Sequence, residues 1–148
     1  MKQNNRRMIA EELLAIFPLI NKKLFPPVHT LPDSNLNITH FFILKTLERD
    51  GAIPTTEIGK KLSILKSNLS PLVNKLKSME YVTTCTDEKD RRIKYIQLTA
   101  KGKAFLDERK QMLQDEIQLR LAPLDDNDLE TLSQSVQQLG FIISKLES

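Results

Sequence analysis

A chain of 148 residues can bury one sizeable core, and its 40% hydrophobic and 28% charged residues describe a folded globular protein, not a disordered one. No apolar run approaches the roughly 20 residues of a membrane span, the start through Arg6 and Arg7 to Glu11 and Glu12 lacks a signal-peptide core, and Cys85 is the only cysteine, so no membrane contact, a cytoplasmic location and no cysteine-based metal cluster are expected. The net charge is only +3, but residues 60–103 hold eleven Lys or Arg against four acids, a local +7 that leaves −4 for the remainder and favours a polyanionic partner over an evenly solvated surface.

Between Met8 and Leu24, apolar residues at 9, 13, 16, 17, 20 and 24 follow helical spacing, with a bend expected at Pro18. Phe25-Pro26-Pro27 and Pro32-Asp33-Ser34-Asn35 predict an irregular connection. Asn37 suits the cap of a second helix carrying Phe41, Leu44 and Leu47 on one face, and Gly51 ends it. A short third helix fits Thr55 to Leu62, with Glu57 in its first turn and Ile58 and Leu62 buried. After Ser63-Ile64-Leu65 a fourth helix runs to about Met79 on an apolar stripe of Leu69, Leu72, Val73 and Leu76. Two short amphipathic helices joined by a tight turn make a helix-turn-helix.

The hydrophobic period then drops to two. Tyr81 to Thr86 and Lys94 to Leu98 are rich in β-branched and aromatic residues, and Asp87 to Arg92 between them is wholly charged, which predicts a β-hairpin with a polar tip. Thr99 caps a helix from Ala100 to Leu121, and Asp125 caps a last one with a heptad-like seam of Leu129, Leu132, Val136, Leu139, Ile143 and Leu146. The fold class is therefore mainly α with a small β-hairpin, a winged helix-turn-helix.

A helix fits the major groove, and a basic hairpin beside it reaches the neighbouring minor groove. Off its apolar stripe the fourth helix offers Lys66, Ser67, Asn68, Ser70, Pro71, Asn74 and Lys75, with no acid before Glu80, so this face can approach phosphates without repulsion. Asp90, Arg91, Arg92 and Lys94 form the hairpin's candidate contacts, Arg92 either probing the minor groove or pairing with Asp87, Glu88 or Asp90. Neither His29 nor His40 has ligand-spaced partners, His40 being a capping or surface residue, and Cys85 reads as a sheltered thiol. With only four glycines there is no phosphate-cradling loop, and no catalytic triad spacing occurs, so neither an enzyme nor a cofactor is expected.

The string from Leu62 to Leu76 resembles the recognition-helix segment of the MarR family. Asp90-Arg91-Arg92, followed by Gln97-Leu98-Thr99-Ala100-Lys101-Gly102, resembles its wing signature, and Leu36-Asn37 with Phe41 to Leu44 fits its second helix. The resemblance implies a homodimer built from the N- and C-terminal helices (1–36 and 100–148) around a DNA-binding lobe (37–99). It further implies a repressor of a pseudo-palindromic operator on double-stranded DNA, Arg92 in the minor groove with Asp90 orienting the hairpin, and release by a small aromatic or phenolic effector. Phe17, Phe41 and Phe42 either line the effector cleft or belong to the core. The chain departs from the family at Pro71, where arginine is frequent and the helix is expected to start late or run irregularly. It departs also at Leu65, expected to shift the cap to Ser67, at Glu80 in place of a glycine, and at Thr84 in place of an arginine. Pro71, Glu80 and Thr84 motivate an alternative, a winged-helix protein-interaction module without DNA binding.

Overall fold

The computed structural model describes residues 2–25 and 36–146. Its elements are α1 (Lys2–Leu24), α2 (Ile38–Asp50), β1 (Ile53–Pro54), α3 (Thr55–Leu62), α4 (Lys66–Ser78), β2 (Val82–Thr86), β3 (Lys94–Leu98), α5 (Ala100–Leu121) and α6 (Asp126–Ile143). They divide into two compact units: α2 through β3 with α5 up to Gln111, and α1 with α5 from Met112 onward and α6. The proline-rich connection expected before Asn37, and His29 within it, lie outside the described residues.

In the first unit each helix end has a chemical cause. Asn37 caps α2, its Oδ1 accepting from the amides of Thr39 (2.9 Å) and His40 (3.2 Å), while Nδ1 of His40 accepts from the Asn37 amide at 3.0 Å. This is a capping box with imidazole in the place usually taken by Glu or Gln. His40 is therefore a cap, and it is buried rather than on the surface. Gly51 closes α2 at a φ of 74°, a value that glycine adopts without a Cβ penalty.

The turn between α3 and α4 is tight. Ser63 is left-handed (φ 54°), and Ile64 donates its amide to the Gly59 carbonyl at 2.9 Å. A Cβ on Gly59 would sit 2.9 Å from the Ile64 oxygen, so the close approach itself requires glycine. Leu65, whose backbone opens α4, offers no side-chain cap, and helical bonds to its carbonyl begin at Asn68 and Leu69. The expected shift of the cap to Ser67 does not occur, because the turn has already set the backbone to start at Lys66. Nor does Pro71 delay or break the helix, which runs unbroken to Ser78. Glu80, the next residue after the Met79 cap, is left-handed at φ 62°, and Tyr81 donates to the Leu76 carbonyl at 3.0 Å.

Ile43, Leu44 and Leu47 of α2, Ile58 of α3, Leu69, Val73 and Leu76 of α4, Val82 and Ile96 of the sheet and Leu106 of α5 form one core, joined by Phe41. Leu62, expected to be buried with Ile58, is only half-buried, as is Leu72. The sheet has three strands in the order β1-β3-β2, all pairs antiparallel, with Val82 opposite Leu98 and Thr86 opposite Lys94. The third strand, β1, was not expected: it is two residues long and pairs Ile53 with Ile96. Thr99 ties α5 to the end of α4, its Oγ1 donating to the Glu80 carbonyl (2.6 Å) and accepting from the Gly102 amide (3.0 Å). A side chain on Gly102 would run into the Tyr81 carbonyl oxygen. Tyr81 stacks on Phe105 at 4.4 Å, and Glu48 accepts from Lys103 (2.7 Å) and Lys110 (3.2 Å), so α5 is joined to both α2 and the start of β2.

In the second unit, α1 begins at Lys2, six residues before the expected start, and runs unbroken through Pro18. Asp125 caps α6 by accepting from the Asp128 amide at 2.8 Å, and Arg120 donates to the last carbonyls of α1, at Lys22 and Lys23. Neither α1 nor α6 contains a buried residue. No helix among the described residues is long and apolar enough to cross a membrane.

A left-handed non-glycine residue costs roughly 1–2 kcal/mol, so Glu80→Gly is expected to raise the unfolding free energy by about 1 kcal/mol, whereas Gly102→Ala lowers it by about 1–3 kcal/mol; urea denaturation reads both. Burial, with Lys75 nearby, lowers the pKa of His40 from its ordinary 6.5. The folded chain thus binds this proton less readily than the unfolded one, and its stability is complete above pH 6.5 and declines as pH falls through the lower folded-state value. His40→Gln keeps a capping acceptor without the titration, so its stability should be flatter between pH 7.5 and 5.5 than that of the parent chain.

Candidate nucleic-acid interface

Successive residues of a helix turn by about 100°, which places Ser67, Pro71, Asn74 and Ser78 on one row of α4, opposite the buried Leu69, Val73 and Leu76. All four are exposed. Lys66 and Lys77 flank this row on one side, and Asn68 and Lys75 on the other. Ser78 and Lys77 escaped the sequence reading because they fall in the last turn, next to the residues that end the helix. The signal for Ser78 was its i+4 and i+7 spacing from Asn74 and Pro71.

Two residues of the expected set are more sheltered. Ser70 is half-buried, and its hydroxyl donates to the Lys66 carbonyl at 3.0 Å, a bond that keeps it within its own helix. Lys75 is half-buried, close enough to His40 to lower the imidazole pKa. Pro71 has no amide hydrogen and cannot donate to the Ser67 carbonyl, so that oxygen loses its helical partner on the outward row. A surface groove of about 500 Å³ runs between α3 and the start of α4, with Thr56, Lys60, Leu65 and Lys66 in its walls.

Two aspartates build the hairpin tip. Asp87 Oδ1 accepts from the amides of Lys89 (2.7 Å) and Asp90 (3.2 Å), and its Oδ2 accepts from the Tyr95 hydroxyl at 2.9 Å. These bonds hold its carboxyl below the usual range, that to Lys89 contributing most, and raise the Tyr95 phenol. Asp90 accepts from the Arg92 amide (3.0 Å) and, through both oxygens, from Nε (3.1 Å) and Nη2 (3.2 Å) of its guanidinium. The Arg92 side chain is nevertheless 91% exposed. Asp87 was considered in sequence only as an ion-pair partner, although its carboxylate, two residues before Lys89, is an Asx-turn signature.

The eleven cations of residues 60–103 divide into two groups. Lys60, Lys61, Arg92, Lys101 and Lys103 each lie in an ion pair with a carboxylate. Among the described residues, Lys66, Lys75 and Lys77 of α4 and Lys89, Arg91 and Lys94 of the hairpin are in none. Thr84, on β2, is exposed and adds no charge. Cys85 is half-buried, its thiol directed to the Gln97 amide oxygen at 2.8 Å. Of the three rings considered for a ligand, Phe41 is core, packed edge-on to Phe42, whereas Phe42 and Phe17 are exposed. Among the described residues no three His, Cys, Asp or Glu side chains assemble as a metal set.

Residues 36–94, which span α2 to the start of β3, match the MarR family. The chain is 29% identical over 98 residues to the HTH-type transcriptional regulator SarZ of Staphylococcus aureus, a match that spans 66% of this chain and 66% of that protein. Its fold is similar to that of a MarR family protein from Bacillus stearothermophilus (TM-score 0.74, 18% identity, 98% of this chain and 99% of that one). It is also similar to FabT of Streptococcus pneumoniae, solved in complex with DNA (TM-score 0.66, 16% identity, 96% and 99% coverage). The helix-turn-helix therefore lies within a segment that matches the MarR family, and the chain is similar in fold to a protein of that family.

Proposed function

We propose that this protein binds double-stranded DNA as a homodimer, each copy laying α4 in a major groove and its hairpin against the adjoining minor groove. The observation that carries this reading is that, of the eleven cations in residues 60–103, the six in no ion pair all lie on α4 and the hairpin. Such cations exchange counterions with phosphates without first breaking an internal pair. The solvent-exposed pairing of Arg92 with Asp90 holds the guanidinium out from the hairpin tip, and screening by solvent lowers the cost of opening it, which suits a side chain that enters a narrow groove. FabT, solved with DNA, shares the fold.

The second copy is supported by the terminal helices. Met8, Ile9, Leu13 and Phe17 of α1 and Val136, Leu139, Phe141 and Ile143 of α6 are all more than 40% exposed. A stable soluble chain rarely leaves two helices without a buried residue, and a two-fold pairing covers them. The regulatory part of the proposal is repression of a pseudo-palindromic operator, relieved by a small aromatic or phenolic effector, for which the exposed rings of Phe17 and Phe42 are available. Phe41 serves the core instead.

Titration of the purified protein against duplex from its own upstream region and against scrambled duplex, at two salt concentrations, tests DNA binding. Tighter binding to the upstream duplex is expected, with Arg92→Ala reducing the slope of log affinity against log salt by about 1. Absence of binding to genomic fragments at low salt, with the dimer intact, would instead support the protein-pairing module. Sedimentation tests the dimer: Val136→Glu with Leu139→Glu should shift the mass from two copies toward one, and an unchanged mass would remove α6 from the interface.

A further inference from the structure

The outward row of α4 also says which bases it reads. A guanine is read in the major groove by Arg or Lys at O6 and N7, an adenine by Asn or Gln at N6 and N7, and a thymine by apolar contact with its 5-methyl group. Ser67, Pro71, Asn74 and Ser78 include no Arg or Lys, and no Arg occurs anywhere on α4. Its lysines, Lys66, Lys75 and Lys77, lie on the flanks of the row. The middle of the row is instead an exposed pyrrolidine ring.

A proline here can contribute only carbon surface. It has no donor or acceptor in its side chain, so against guanine O6 or the cytosine amino group it would displace water without replacing the hydrogen bonds. Its ring is already rigid, so contact costs no side-chain entropy. One base edge in the major groove offers carbon at that depth, the thymine methyl. Asn74, three residues on and one turn deeper along the same row, supplies the paired donor and acceptor that adenine requires.

We propose that Pro71 is a specificity-determining residue, whose ring takes a thymine 5-methyl group, so that each operator half-site carries thymine opposite the middle of α4 with an adenine beside it for Asn74. This inference rests on the DNA-binding reading above and adds the base preference. Burial of one methyl group is worth about four-fold in affinity, and about fifteen-fold when both half-sites contribute.

The test begins by selecting bound duplexes from a random pool with the full-length protein. Each thymine of the selected duplex is then replaced by deoxyuridine, which removes only the methyl group, and affinity is read by fluorescence anisotropy. One thymine per half-site should cost about four-fold on replacement. That cost should vanish in Pro71→Ser, and Pro71→Arg should shift selection at the same position from thymine to guanine; circular dichroism checks that both variants keep the helix. Selected duplexes with G·C at the half-site centre, or affinity indifferent to deoxyuridine at every position, would overturn the proposal while leaving DNA binding standing. Failure to retain any duplex would overturn the DNA-binding reading and this inference with it.

Discussion

The orientation of α4 rests on two left-handed residues that are not glycine, Ser63 before the helix and Glu80 after it. Each lets the chain reverse while an amide beyond the helix end returns to a carbonyl inside it, Ile64 to Gly59 and Tyr81 to Leu76. These two closures, with Leu69, Val73 and Leu76 in the core, leave α4 one rotation about its own axis. That rotation turns Ser67, Pro71, Asn74 and Ser78 outward. The strain at Ser63 and Glu80, of order 1–2 kcal/mol each, is offset by the buried stripe between them.

The hairpin solves a different problem, that of holding a charged loop without a core. Asp87 gathers two amides and the Tyr95 hydroxyl around one carboxylate, which leaves the backbone of the tip fixed while its side chains stay in solvent. Asp90 does the same for Arg92 alone. Because these pairs are exposed, salt and competing anions weaken them readily. A rigid tip carrying a releasable guanidinium follows from that combination.

The terminal helices add a thermodynamic consequence. A unit whose α1 and α6 bury nothing of their own draws its stability from whatever covers them. If that cover is a second copy, folding and association are linked, and thermal stability rises with protein concentration. A side chain substituted on α6 then acts on assembly and stability together.

Much of the architecture could be read from local pattern alone. Asn37, Gly51, Thr99 and Asp125 mark helix ends through side-chain and backbone chemistry that is legible residue by residue, and the change from helical to alternating spacing after Met79 announces the hairpin. The basic block and the polar face of α4 were legible in the same way, since charge and helical period need no tertiary information. What escaped depended on contacts distant in sequence. β1 has two residues and no pattern of its own, existing only because Ile53 lies beside Ile96. His40 gave no sign of burial, because its shelter comes from the fold around α2 rather than from its neighbours. The start of α4 at Lys66 was already marked by the Ser63-Ile64-Leu65 connection, and the local Gly59 to Ile64 closure keeps it there in spite of Leu65 and Pro71, with the register that puts Pro71 outward. Composition and periodicity thus determined which elements form and where charge gathers, whereas the tertiary structure decided which side chains are free to act, because exposure and pairing are set by residues far apart in the chain.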